Sequence, residues 1–212
     1  MCRILAVKGR EPFAIAPWLA RFAEMARASR EYQGDGWGLA WDNGRGWQTY
    51  RALTPVWDDD LSGFGATRLL LVHARSAFRN EGVRIENNMP FLAGGVAFAF
   101  NGELHGVRIR EEGRIGAEKV FNTIRRLTNG DLAAGLERAA ALIRGRSRYV
   151  RAMNVVLSDR DRIYAHCEFG EMPEYFTLYV SREDGRVALC SEPLARMGGW
   201  HPLANRCLEV LE

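Results

Sequence analysis

The sequence predicts an α+β domain in which two sheets face each other and helices cover the outside. Three observations carry this expectation. Strand-like segments fill both ends of the chain, two helical segments follow one another in its middle, and no repeat, Pro-rich linker or low-complexity stretch divides the halves. Strands in runs with segregated helices pack as layers around a shared core. A chain of 212 residues that is 47% hydrophobic and 26% charged is long enough to bury such a core.

Residues 3–8 form an apolar first strand, and residues 16–29 carry Trp18, Leu19, Phe22, Ala23 and Met25 at helical spacing, with Pro17 in the tolerant first turn. After a turn at 33–36, residues 37–41 and 46–51 read as two strands joined through Asp42-Asn43-Gly44, a hairpin signal. Residues 68–74 and 94–100 are near-continuous apolar runs, the kind buried on both faces, with a polar loop over 79–88 between them. Helices are expected over 116–127 and 132–143. Thr128-Asn129-Gly130-Asp131 between them reads as a stop followed by an N-cap. A second series of strands follows at 151–158, 162–167, 176–181 and 187–191, separated by polar turns.

The longest apolar runs are far too short to span a bilayer, and no basic region with a long apolar segment opens the chain, so a cytoplasmic protein is expected. Four cysteines (Cys2, Cys167, Cys190, Cys207) lie scattered without a CxxC pair, which supports neither a disulfide framework nor a structural zinc. His105, His166 and His201 lack ligand spacing, and no metal site is expected. The net charge of +3 is small and its arginines are mixed with acids, so nucleic-acid binding is not indicated. The stretch 144–151 holds four arginines, read as a solvated loop between a helix and a strand in preference to a phosphate or acidic-partner contact. Arginine carries almost all of the basic charge, which base composition and heat adaptation explain equally well.

Cys2 is the most informative residue. Directly behind Met1, it becomes the first residue if Met1 is removed, with a thiol and a free α-amine on one Cα. A thiolate is the attacking species in acyl transfer, and an α-amine of pKa about 8 serves as its base. The competing reading is a small buried hydrophobe at the head of a strand. Four segments bear on the choice: Asp35-Gly36-Trp37-Gly38, His73-Ala74-Arg75-Ser76, Phe100-Asn101-Gly102-Glu103 and Cys190-Ser191-Glu192-Pro193-Leu194. An Asn amide and a following Gly N–H at a strand end supply two donors for a developing oxyanion, where the plain alternative is a turn. Arg75 reads either as a bidentate partner for a substrate carboxylate or as a structural ion pair. His73 reads as structural rather than as the base of a Cys/His dyad, because it sits on an apolar strand and a terminal amine makes an imidazole unnecessary.

With these segments the chain resembles the class II glutamine amidotransferases, whose domain belongs to the N-terminal-nucleophile hydrolases. It is most similar to stand-alone members with an Asp-Gly-Trp-Gly motif and a late Ser-Glu-Pro-Leu motif. The resemblance runs from Met1-Cys2-Arg3 to Pro193-Leu194. It implies a four-layer αββα sandwich of two mainly antiparallel sheets and a single amidotransferase domain over 1–212. It implies Cys2 as nucleophile with its freed α-amine as base, and Asn101 and Gly102 as oxyanion hole. Arg75 would hold the substrate carboxylate, with Trp37 and Gly36 at the pocket. The implied substrate is glutamine or a γ-glutamyl compound, with no cofactor, and a separate synthase subunit is the implied partner.

The chain departs from that family at two places. Met89 stands in Asn88-Met89-Pro90-Phe91 where relatives carry His before Pro. Gly116-Ala117-Glu118 stands where relatives have an aspartate for the substrate ammonium, leaving Glu118 or Asp35 to meet it. These departures open two alternatives: an amide hydrolase that does not use free glutamine, and a catalytically degenerate regulatory or scaffold subunit.

Overall fold

The computed structural model describes residues 1–78 and 82–212; residues 79–81 of the expected polar loop lie outside the described residues. One sheet has seven strands. Its centre is β1 (Arg3–Ala14), flanked by β4 (Ala66–Ala74) and β10 (Arg186–Cys190); beyond β4 lie β2 (Trp37–Asp42) and β3 (Trp47–Ala52), and beyond β10 lie β9 (Tyr179–Glu183) and β11 (His201–Pro202). The other sheet has five strands in the order β12 (Cys207–Leu211), β8 (Ile163–Cys167), β7 (Tyr149–Ser158), β6 (Val96–His105) and β5 (Phe91–Ala93). Every pairing in both sheets is antiparallel.

Side-chain alternation along the strands sorts most of the apolar residues into three cores, with a small fourth cluster of Ala152, Tyr175 and Phe176 beside them. Leu5, Val7, Leu39, Leu70 and Val72 face α1 (Ala16–Ala28), which buries Trp18, Leu19, Phe22 and Met25 against them. Their neighbours Ile4, Ala6, Ala40, Leu69 and Leu71 turn the other way and meet Ala97, Ala99, Val156 and Ala165 of the second sheet. The far face of that sheet, with Phe98, Phe100, Met153 and Val155, is covered by α2 (Gly116–Leu127) and α3 (Leu132–Arg146). The layer order is therefore helix, sheet, sheet, helices: the expected α+β sandwich of two antiparallel sheets. Alanines such as Ala6, Ala97, Ala99 and Ala165 alternate with larger aliphatics such as Ile4, Leu69 and Leu71 in the layer between the sheets.

The local signals behind this arrangement are visible in its turns. Asn43 closes the β2–β3 hairpin by accepting from the N–H groups of Arg45 and Gly46 at 2.9 and 3.0 Å. Asp131 caps α3 by accepting from Ala134 N at 3.0 Å. Several boundaries differ from the sequence reading. β1 continues to Ala14 because, past a register shift, Phe13 and Ala14 pair with Thr67 and Ala66. In the stretch 176–178, expected as strand, Phe176 ends a short helix, α4 (Pro173–Phe176), Thr177 and Leu178 connect it onward, and β9 begins only at Tyr179. Of the four arginines of 144–151 only Arg148 lies in an exposed loop between helix and strand; Arg144 and Arg146 end α3, and Arg151 lies in β7, bound to Glu103 and Glu171 at 2.9 and 2.7 Å. β11 and β12 were not expected at all. Among the described residues no helix is long and apolar enough to cross a membrane.

Candidate active site

The head of β1 is held from three sides. Ser191 and Ile4 exchange hydrogen bonds, Ile4 N to the Ser191 hydroxyl at 2.9 Å and Ser191 N to Ile4 O at 3.0 Å. Arg3, fully buried, pairs with Glu192, donates to the Tyr175 carbonyl at 3.2 Å and stacks 4.0 Å over the Tyr175 ring. The Ser-Glu-Pro-Leu segment thus does mechanical work: it fixes the two residues that follow Cys2.

The Asp-Gly-Trp-Gly segment does the same for Arg75. Asp35 N donates to Arg75 O at 3.1 Å, Arg75 N to Gly36 O at 2.9 Å, and Ala77 N to the Asp35 carboxylate at 2.7 Å. Gly36 has φ +106°, and a Cβ there would stand 2.3 Å from Asn88 Nδ2 and 2.6 Å from Ala52 O. At Gly38 a Cβ would stand 2.6 Å from Met89 O. Glycine is required at both positions because the 88–89 segment passes directly over β2. That passage brings Asn88 Oδ1 to 3.5 Å from the Arg75 guanidinium.

Cys2 and Arg75 line one wall of a cleft of about 1520 Å³, with Met89, Phe100 and Gly102 contributed by other parts of the chain. The Cys2 thiol points at Ser76 O, 3.6 Å away. Burial raises its pKa above the ordinary thiol value; the positive α-amine, a backbone hydrogen bond at Ser76, and the charges of Arg75 and Arg3 work against that rise without cancelling it. Burial also lowers the pKa of Arg75, against the opposing effects of Cys2 and Asp35. With Met1 in place the α-amine pairs with Glu31, and Met1 O accepts from Gln33 Nε2 at 2.6 Å.

Asn101 and Gly102 are inside β6 rather than at a strand end, paired with Asn154 and Met153 of β7. The apolar run stops at Phe100, but β7 continues opposite and carries the pairing on to His105. Asn101 is fully buried, and neither polar atom of its side chain has a hydrogen-bond partner among the described groups. His73 lies in the same inter-sheet layer, in register with Ile4, its Nε2 3.2 Å from Phe100 O. Burial, reinforced by the charge of Arg75 and only partly offset by the Phe100 carbonyl, lowers its pKa to about 3. A neutral imidazole linking the two sheets agrees with the structural reading of this residue.

The structure sets four expected residues off the described lining of the cleft: Asn101, buried between the sheets, Gly36, beneath Asn88, and Trp37 and Glu118. Trp37 is fully buried on the α1 side of its sheet and donates from its indole to Asp59 at 2.9 Å. Glu118 folds back at the start of α2 onto Arg114, accepting from its N–H at 2.5 Å and its guanidinium at 2.8 Å, which holds its carboxyl below the usual range. None of the four is among the described residues that line the cleft. Sequence reasoning missed Glu31, Gln33 and Tyr175, which gather around Met1; no motif marks them, and only the fold brings positions 31 and 175 together.

No protein-family model matches the chain, and the search of curated proteins returns no match. Solved structures do match. A glutamine aminotransferase class-II domain protein from Silicibacter pomeroyi superposes with a TM-score of 0.66 at 21% identity, over 96% of this chain and 92% of that one. A predicted glutamine amidotransferase from Pseudomonas aeruginosa gives 0.62 at 18% identity, over 99% and 97%. The glutamine phosphoribosylpyrophosphate amidotransferase from B. subtilis gives 0.66 at 15% identity, over 90% of this chain but 42% of that one. The chain has the fold of the class II glutamine amidotransferases.

Proposed function

We propose that this chain is an N-terminal-nucleophile amidohydrolase of the glutamine amidotransferase type, one domain over residues 1–212, active once Met1 is removed. The observation that carries the reading is the placement of the Cys2 thiol beside Arg75 on a cleft that Gly102 of the second sheet also lines. In the proposed reaction the Cys2 thiol gives its proton to the freed α-amine, and the sulfur attacks the substrate carbonyl. The tetrahedral oxyanion is met by the Asn101 amide and the Gly102 N–H. The α-amine returns the proton to the departing ammonia or amine, and water then resolves the thioester to a carboxylate. Arg75 binds a carboxylate elsewhere on the substrate. Gly36 serves by keeping the Arg75 backbone in place. Glu118 would reach a substrate only by giving up Arg114.

That engagement of Glu118, with Asp35 held by Ala77 N, favours a second reading of the substrate: a γ-glutamyl or other amide in preference to free glutamine. Supply of ammonia to a separate synthase subunit belongs to the first reading. In the B. subtilis enzyme the matching region is likewise only part of the chain. Ammonia or amine release measured against glutamine, γ-glutamyl amides and unrelated acyl amides separates the two. Cys2→Ala is expected to abolish turnover and labelling by a glutamine-mimicking electrophile; full turnover in that variant would sink the mechanism.

A further inference from the structure

We infer that the place Met1 occupies becomes, once that residue is removed, a binding subsite for a free L-α-amino acid with an unbranched apolar side chain, seated against the freed amine of Cys2. The inference rests on the reading of Cys2 as an N-terminal nucleophile. Met1 is fixed at every functional group. Its side chain is only 10% exposed and packs with Ala152, Tyr175 and Phe176. Its ammonium pairs with Glu31, and its carbonyl oxygen accepts from Gln33 Nε2 at 2.6 Å and the Tyr175 hydroxyl at 3.3 Å. A carboxylate for an ammonium, two donors for a carbonyl oxygen and an apolar wall for a side chain together make the mould of an amino acid.

The mould does not depend on Met1 for its own support. Arg3 stacks on Tyr175 and binds its carbonyl, and Gln33 is fully buried with its Nε2 also bound to Glu31 O at 2.8 Å. Gln33 Oε1 has no partner among the described groups. Glu31 has one further cation near it, Arg151 at 3.8 Å, too far for a hydrogen bond. Met1, Cys2 and Glu31 all line the large cleft, so a ligand reaches the subsite from the substrate side. An emptied apolar slot forfeits packing that a ligand of the same shape restores. A free amino acid adds a carboxylate where the peptide had an amide, and that charge meets the cationic α-amine of Cys2. Its ammonium is met by Glu31, since Glu118 and Asp35 are engaged elsewhere. A ligand so placed covers the Cys2 amine and shields the thiol.

The test uses protein whose loss of Met1 is established by intact mass. Alkylation of Cys2 by iodoacetamide is followed with L-methionine, D-methionine or L-alanine present. L-Methionine at ten times its dissociation constant is expected to slow labelling about tenfold, with D-methionine and L-alanine much weaker at the same concentration. In Glu31→Gln the ratio of rates with and without L-methionine goes to one. Tyr175→Phe, which removes a single donor, weakens the protection about threefold to tenfold. Unchanged labelling of the trimmed protein at the solubility limit of L-methionine overturns the subsite, as does equal protection by D-methionine. Should the natural protein retain Met1, the nucleophile reading falls. The subsite is then judged on protein trimmed to Cys2 by cleavage of an N-terminal fusion, where the same two outcomes decide it.

Discussion

His73 and Cys2 show how surroundings separate two groups that burial treats alike at the same end of the sheets. Both are pushed toward their neutral forms, His73 to about 3 and the thiol upward. The thiol lies on an open cleft beside compensating positive charge, whereas the imidazole is sealed between the sheets, with the Phe100 carbonyl its one hydrogen-bond partner among the described residues. This has a consequence for stability. An unfolded histidine titrates near 6.5, so below that pH the unfolded chain binds a proton that the folded chain refuses until about 3. The contribution of His73 is therefore fully present above about pH 6.5 and is lost as pH falls, by up to about 1.4 kcal/mol per pH unit. Denaturant unfolding at pH 7.0 and 5.5 should show this loss in the native protein and a smaller one in His73→Gln. Equal losses would place the pH sensitivity elsewhere.

At the scale of elements, the two motifs flanking the chemistry work as braces for strand ends. Their signals were legible as residue types, while their mechanics were not. The Gly36 and Gly38 requirement comes from the passage of residues 88–89 over β2, a contact between segments fifty positions apart that no local pattern encodes. Gly36→Ala is expected to cost about 1–3 kcal/mol, from a positive φ and from the Asn88 and Ala52 contacts. Its KM should rise more than its kcat falls, because the role proposed for the displaced Arg75 is to bind the substrate carboxylate and not to react. Ser191→Ala leaves Ile4 N buried without its side-chain acceptor, and a loss of about 1–3 kcal/mol is expected in thermal or denaturant unfolding. The layer arrangement was readable because apolar runs and helical spacing survive in the folded chain. The length of β6 was not, because strand pairing with β7 overrides the end of the apolar run at Phe100.

Over the whole molecule, the sandwich confines its unsatisfied polarity to a few places, and one of them bears on the proposed chemistry. The inter-sheet layer is built from apolar side chains, Ala6, Ala97 and Ala99 beside Ile4, Leu69 and Leu71, yet it takes in Asn101, neither of whose amide atoms has a partner among the described groups. Asn154, opposite in the ladder, is fully engaged: it donates to Phe176 O at 2.6 Å and accepts from Glu168 N at 3.1 Å. A fold selected for stability alone would treat the two positions alike. An orphaned buried amide costs about 1–3 kcal/mol, which an apolar residue of similar volume avoids. Asn101→Leu is therefore expected to raise the unfolding midpoint, or leave it unchanged, while removing turnover; Asn154→Leu is expected to lower it. Thermal unfolding of both variants, read beside amide hydrolysis and electrophile labelling, separates function from packing. If Asn101→Leu destabilises the protein as strongly as Asn154→Leu, or retains turnover, then Asn101 is a structural residue of the inter-sheet layer and the oxyanion role passes to donors that line the cleft.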